Sequence, residues 1–297
     1  MIPEQLNEPW WIDVIKAFVI VNLVLGAFAY ATWLERKLLG RMQLRYGPNR
    51  AGPFGLLQPI ADLVKLIRKE SFFPASATDV LYIAAPAVAG ATALAAFSVI
   101  PFGGVWHVGG YDVTGWVVDV SIGLVLLFAL GAIGIYAFLV GGWASESKYS
   151  LLGSMRTAAQ LVSYEVSLAL SVLGVVIMAE TLSLTQIVEA QSDTIWYAVP
   201  QIVGLAVFLL AGTAETARAP FDLPEAEQEL VAGYHTEYGG MRFGLYTMSE
   251  YINLITLSGL CVTLFLGGWH GPGWDGPSWA GPLWFIGKLV LILFVFI

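Results

Sequence analysis

Long, unbroken apolar runs alternate with polar connections along the whole chain. Apolar residues fill 10–34, 79–101, 119–143, 157–180, 195–216 and 244–268, and a last run opens at 283 and continues to Ile297. Crossing the hydrocarbon core of a bilayer takes about 20 such residues. Six runs reach that length, and the seventh ends in LVLILFVFI with no polar flank. The runs are solid, unlike the alternating strands of a β-barrel and unlike the one-sided pattern of a soluble helix. They predict an all-α polytopic membrane protein, a single membrane domain over 1–297 that is truncated inside its seventh span. The opening run is too long, and its start too poor in positive charge, for a cleaved signal peptide.

One polar connection has a pattern of its own. In LLQPIADLVKLIRKE, apolar Leu56, Leu57, Ile60, Leu63, Val64 and Ile67 recur at helical spacing, while Asp62, Lys65, Arg68 and Lys69 take the opposite face. Too short and too charged to span, it reads as an amphipathic helix lying in the membrane plane. Pro59 suits its first turn. GPNRAGPFG just before it is turn chemistry.

Charge fixes the expected topology. Twelve of the fourteen Lys and Arg lie in alternate connections: Arg36, Lys37, Arg41, Arg45, Arg50, Lys65, Arg68 and Lys69 in the first, Lys148 and Arg156 in the third, Arg218 and Arg242 in the fifth. Lys16 and Lys288 are the two exceptions, inside spans. By the positive-inside rule the loops near 35–78, 144–156 and 217–243 are cytoplasmic and the N-terminus is outside. The location implied is the inner, plasma membrane. The even-numbered loops are short and rich in Gly, Trp and Pro, as in GGWHGPGWDGPSWAGP.

Composition bears on chemistry mainly by exclusion. A single cysteine, Cys261, does not make an iron–sulfur site. The three histidines, His107, His235 and His270, fall in loops, where a membrane haem pair has no use for them. No Gly-rich nucleotide fingerprint is present, and no metal site is expected. No internal repeat supports an inverted-repeat transporter.

The stretch from Glu215 to Glu237 crowds Glu215, Asp222, Glu225, Glu227, Glu229 and Glu237 around a single Arg218. Asp222 can cap a helix whose third residue is Glu225. Glu225 and Glu229 then share a face at i, i+4, where like charges repel. Such crowding calls for basic partners, bound water or protonation.

Three segments carry a resemblance: ERKLLGRMQLRYGPNRAGPFGLLQPIADLVKL, WASESKYSLLGSMRTAAQLVSYEVSLAL and TAETARAPFDLPEAEQELVAGYHTEYGGMRFGLYTMSEY. Together they resemble the quinone-site membrane subunit of respiratory complex I, the family of the first mitochondrial NADH-dehydrogenase subunit. The resemblance runs from about Trp10 to the end. That family has eight spanning helices, binds no cofactor of its own, and takes electrons from partner subunits that hold flavin and iron–sulfur clusters. Quinone is its substrate. Its first, sixth and amphipathic helices frame the mouth of a quinone chamber. Its partners are the hydrophilic arm, including the subunit with the terminal cluster, the small membrane subunits and the antiporter-like subunits, besides membrane lipid. No nucleic acid is implied.

Residue by residue, the resemblance assigns Glu35, Arg36, Asp62, Lys65, Phe221, Asp222 and Glu225 to the quinone chamber. It assigns Glu165, Glu215, Glu227, Glu229 and Glu250 to a proton path. It gives Arg41, Arg45, Arg50, Arg218 and Glu237 to partner docking. Bland readings stand beside these. Lys37 reads as an interfacial anchor; Arg41, Arg45 and Arg50 can contact anionic lipid; Glu250 can be an interfacial residue near Arg242. Glu165 is the sharpest case, because an ionisable residue within a span is by default functional. Glu146 and Gln228 depart from the family pattern and inherit no role. The expected function is the membrane subunit of a proton-translocating NADH:quinone oxidoreductase. The alternative is the homologous anchor subunit of an ion-translocating hydrogenase or formate-hydrogen lyase.

Overall fold

The computed structural model describes residues 8–192, 195–224, 227–271 and 278–297. Its apolar runs are helices: α1 (Trp10–Met42), α3 (Asp79–Ser98), α4 (Gly123–Ala144), α5 (Lys148–Ala179), α7 (Ile202–Glu215), α9 (Gly240–Phe265) and α10 (Gly281–Phe296). The amphipathic segment forms α2 (Gln58–Arg68), with Pro59 in its first turn. Short helices α6 (Leu184–Ser192) and α8 (Glu227–Leu230) complete the set. The architecture is that of an all-α polytopic membrane protein.

Several elements differ from the sequence-based expectation. The first span continues to Met42, so Glu35, Arg36, Lys37 and Arg41 stand on helix α1 and not in a loop. The loop expected over 144–156 shrinks to Ser145–Ser147, because α5 starts at Lys148. Charged residues at those helix ends leave the apolar run but do not break helical geometry. At 1.5 Å per residue, α1 and α5, of 33 and 32 residues, are longer than the apolar core requires. The run over 195–216 is helical only from Ile202. The second loop holds an unforeseen hairpin, β1 (Val105–Val108) antiparallel to β2 (Tyr111–Thr114). Its turn residues Gly109 and Gly110 both take positive φ, +60° and +87°, as a two-residue hairpin turn requires.

Helix α9 is the centre of the bundle: 78% of its apolar window is buried, against 17% for α1. Phe208 of α7, Phe265 of α9, Phe285 of α10 and Ile187 and Val188 of α6 pack in one core around it. Its polar residues are accommodated locally. Thr256, Ser258 and Thr263 each donate to the carbonyl four residues back, at 2.8–2.9 Å, which satisfies a buried hydroxyl without a tertiary partner. A second cluster joins α3, α4, α9 and the turn before α9 through aromatic rings: Tyr82, Phe138, Tyr234, Tyr238 and Tyr246.

The two lysines inside spans are fully engaged. Lys16 meets Glu8 at 2.5 Å and Asp13 at 3.0 Å and donates to Thr114 Oγ1 of β2, so it clasps the hairpin to α1. Lys288 donates to the carbonyls of Leu266, Gly268 and His270. It thereby satisfies backbone oxygens left over at the C-terminus of α9.

Candidate functional site

Two cavities bear on function: the larger lies toward the end of the bundle that carries the odd-numbered loops, and the smaller reaches inward to Ala96 and Leu127, near the opposite ends of α3 and α4. The larger, of about 750 Å³, is bounded by α1, α2, the start of α9 and the turn before it. Its walls are mostly apolar: Leu25 and Phe28 of α1, Ile60 and Leu63 of α2, Leu245 and Met248 of α9. Arg36, Asp62, Lys65 and Lys69 supply its charged side. Helix α2 has no fully buried residue; packed against α1 and α9, it forms one wall of this space. Arg36 meets Asp62 at 2.7 Å, and Gln58 donates to the other Asp62 oxygen at 3.0 Å. The Arg36 side chain is 56% exposed, so this pair contributes little to stability, about 1 kcal/mol or less. It can open at small cost.

The smaller cavity, about 80 Å³, is lined by Glu165 of α5, Glu215 of α7, and Glu250 and Asn253 of α9. The volume admits ordered waters. The Tyr234 hydroxyl donates a hydrogen bond to Glu250. One Glu215 carboxyl oxygen is buried with no hydrogen-bond partner among the described residues. Three carboxyl groups thus line one small space, where charges are screened less than in water.

Between the cavities lies a junction that sequence reasoning missed. Arg218 bonds Glu35 at 2.6 Å, the Tyr251 hydroxyl donates to the other Glu35 oxygen at 2.8 Å, and the guanidinium sits 4.8 Å over the Tyr251 ring. Burial works against the charge on Arg218, but Glu35 and Tyr251 more than offset it, and its pKa is raised above the ordinary value. The residues are 183 positions apart in sequence. Gln160 of α5 ties the same region together, donating to the carbonyls of Ala214 and Phe221 at 2.7 and 2.8 Å. A glutamine inside an apolar run was the available signal for it.

The remaining expected site residues fall in different places. Asp62, Lys65 and Arg36 line the large cavity; Glu35 faces Arg218 instead. The Phe221 ring packs edge-on to Tyr164 at 5.5 Å. Asp222 is exposed, and the start of the helix it was expected to cap falls on 225–226, outside the described residues. Glu225 lies outside the described residues, as does the side chain of Glu227. Glu229 is exposed and pairs with Arg156 at 2.6 Å. Glu237 accepts at its backbone carbonyl from the Tyr82 hydroxyl. Arg41, Arg45 and Arg50 are exposed. Lys37 is not a simple anchor: it donates to the carbonyls of Pro48 and Phe54 and holds the loop against α1.

The turn before α9 was also missed. His235 lines the large cavity, and burial holds its imidazole down at about pKa 4. Burial pushes the neighbouring Tyr238 hydroxyl up to about 12. A pH dependence follows. Above about pH 6.5 the imidazole is neutral folded or unfolded. Below that, the unfolded chain takes up a proton that the folded chain accepts only near pH 4, so stability falls across this window. The melting temperature is expected to drop between those pH values, and His235→Gln is expected to flatten the drop; an identical pH profile contradicts this.

A family model described as NADH dehydrogenase matches residues 15–297. The chain belongs to this family. Among its relatives is an NADH-quinone oxidoreductase subunit of Syntrophobacter fumaroxidans, 52% identical over 264 residues, covering 86% of this chain and 77% of the relative. The corresponding NADH-quinone oxidoreductase subunit of Rhodospirillum rubrum is 47% identical over 292 residues, 97% of this chain and 84% of that one. NADH-quinone oxidoreductase subunit 8 of Thermus thermophilus is 48% identical over 265 residues, 89% and 72% of the two chains. Membership makes this chain a membrane subunit of an enzyme complex, as the resemblance of its motifs implied.

Proposed function

We propose that this chain forms the quinone entry chamber and the start of the proton path of a proton-translocating NADH:quinone oxidoreductase. The observation that carries the reading is the pairing of two unlike cavities. One is large, apolar and edged by charge, with the amphipathic α2 as one wall. The other is small and holds three carboxyl groups. An isoprenoid quinone needs the first; movement of protons needs the second.

Quinone enters from the bilayer between α1, α2 and α9. The exposed Arg36–Asp62 pair and Lys65 meet its polar head at the mouth, where an ion pair of low stability can part and re-form. Electrons come from flavin and iron–sulfur clusters in partner subunits. Arg41, Arg45 and Arg50, with the acidic stretch through Glu229 and Glu237, form the docking face on the cytoplasmic side; the N-terminus lies outside. Reduction draws protons toward the quinone, and Glu165, Glu215 and Glu250 answer by shifting protonation and hydration. Their shared cavity has room for water to connect them, and the unpaired Glu215 oxygen supports a place for water in it.

Glu165→Gln in the assembled enzyme tests the path. It keeps the shape of the side chain and removes the proton it can exchange. Proton pumping per quinone reduced is expected to fall at least tenfold, with the complex still assembled. Unchanged pumping removes Glu165 from the path.

A further inference from the structure

Tyr234 and His235 are neighbours in the chain, yet they line different cavities. Tyr234, 2% exposed, lines the carboxyl cavity and donates to Glu250. His235 lines the large chamber. The partition between the cavities at this point is a single 3-10 turn, Gly233–His235.

The turn is wedged rather than loosely placed. Gly153 of α5 packs against its backbone so closely that a Cβ there would lie 2.5 Å from the Gly233 carbonyl carbon and 2.6 Å from the Tyr234 nitrogen. The chain enters the turn through Val231 at φ +67°, an unusual conformation for a β-branched residue. Strain of this kind persists only where the surroundings enforce it, and it gathers at functional elements. The His235 ring meets Tyr234 edge-to-face at 4.9 Å and Phe243 at 5.2 Å. Tyr234 in turn packs on Phe138 at 5.0 Å and Tyr246 at 5.3 Å. A close-packed chain of rings transmits displacement instead of absorbing it.

We propose that the Tyr234–His235 turn couples the two cavities: a ligand oxygen that hydrogen-bonds the His235 imidazole in the chamber shifts the Tyr234 hydroxyl on Glu250 in the carboxyl cavity. The ligand class is an apolar molecule with a carbonyl or hydroxyl oxygen at its polar end, because an imidazole can donate to the first and accept from the second. No proton crosses the turn. His235 is a positioning residue that acts through the Tyr234 ring, and Tyr234 acts through one hydrogen bond. The inference rests on the reading of the large cavity as the quinone chamber.

The test uses the assembled complex in sealed membrane vesicles, with NADH and a short-chain quinone. Protons translocated per quinone reduced and the KM for quinone are measured for His235→Leu, Tyr234→Phe and the double variant. Each single substitution is expected to lower the proton ratio at least twofold, and the double variant to lower it no further, because both break one route. A ratio unchanged in either single variant overturns the proposal. So does a double variant whose loss equals the product of the two single losses. Where His235→Leu prevents assembly, Tyr234→Phe and His235→Asn decide by the same criteria. Failure of the chamber reading shows separately: Gly244→Phe, which crowds the cavity beside Leu66, would then leave the KM for quinone unchanged.

Discussion

Glu35→Gln is expected to destabilise the protein by about 3 kcal/mol, at the lower end of the range for breaking a buried ion pair. The substitution leaves the Arg218 guanidinium facing an uncharged amide in a place where its side chain is only 21% exposed. The Tyr251 hydroxyl loses a charged acceptor at the same time. Charge-assisted hydrogen bonds are the strong ones, and this site holds two on one carboxylate. The remaining exposure keeps the cost at the low end. Removing both charges, as Glu35→Met with Arg218→Met, is expected to cost less than Glu35→Gln alone, since no unpaired charge is then left inside. Thermal unfolding of the purified complex reads both. Equal melting temperatures for the unsubstituted protein and Glu35→Gln contradict the assignment of this pair as the tie between α1 and the loop after α7.

Gly153→Ala is expected to cost about 1–3 kcal/mol, the usual range for overpacking, although alanine is the better helix former. The added methyl meets backbone atoms of Gly233 and Tyr234 at 2.5–2.6 Å. No flexible side-chain end is available to swing away, so the turn itself must move and take Tyr234 with it. Gly26→Ala is the control. Its Cβ meets nothing within 4 Å, and the change is expected to be neutral or to stabilise α1 through helix propensity. Opposite signs in melting temperature support the packing argument; two neutral results contradict it.

The helices were legible in the sequence because a bilayer demands solid apolar runs, and α2 because its two faces differ in polarity. The ends were less so. Arg36, Lys37 and Arg41 look like loop residues by polarity, but nothing in them opposes helix, and α1 carries them. The hairpin left a signal in VWHVGGYDVT, with paired glycines between two β-branched strands, that apolar-run counting passes over. Around the large cavity, the amphipathic pattern placed Asp62 and Lys65 on one helix face, while only the family resemblance singled out Arg36 and gave all three a role. The Glu35–Arg218 pair was not, since no local pattern joins positions 183 apart. Tyr234 and His235 were hidden for another reason: the carboxylates beside them are the stronger local signal, and a two-residue division of labour between cavities exists only in three dimensions.

Quinone entry through the cavity between α1, α2 and α9 is the central claim. A structure of the assembled complex with a bound quinone analogue tests it most directly. The analogue is expected with its tail against Phe28, Leu63 and Met248 and its polar end on the His235 side of the Arg36–Asp62 pair. An analogue that binds tightly and inhibits, yet leaves this cavity empty and touches none of the three helices, contradicts the claim.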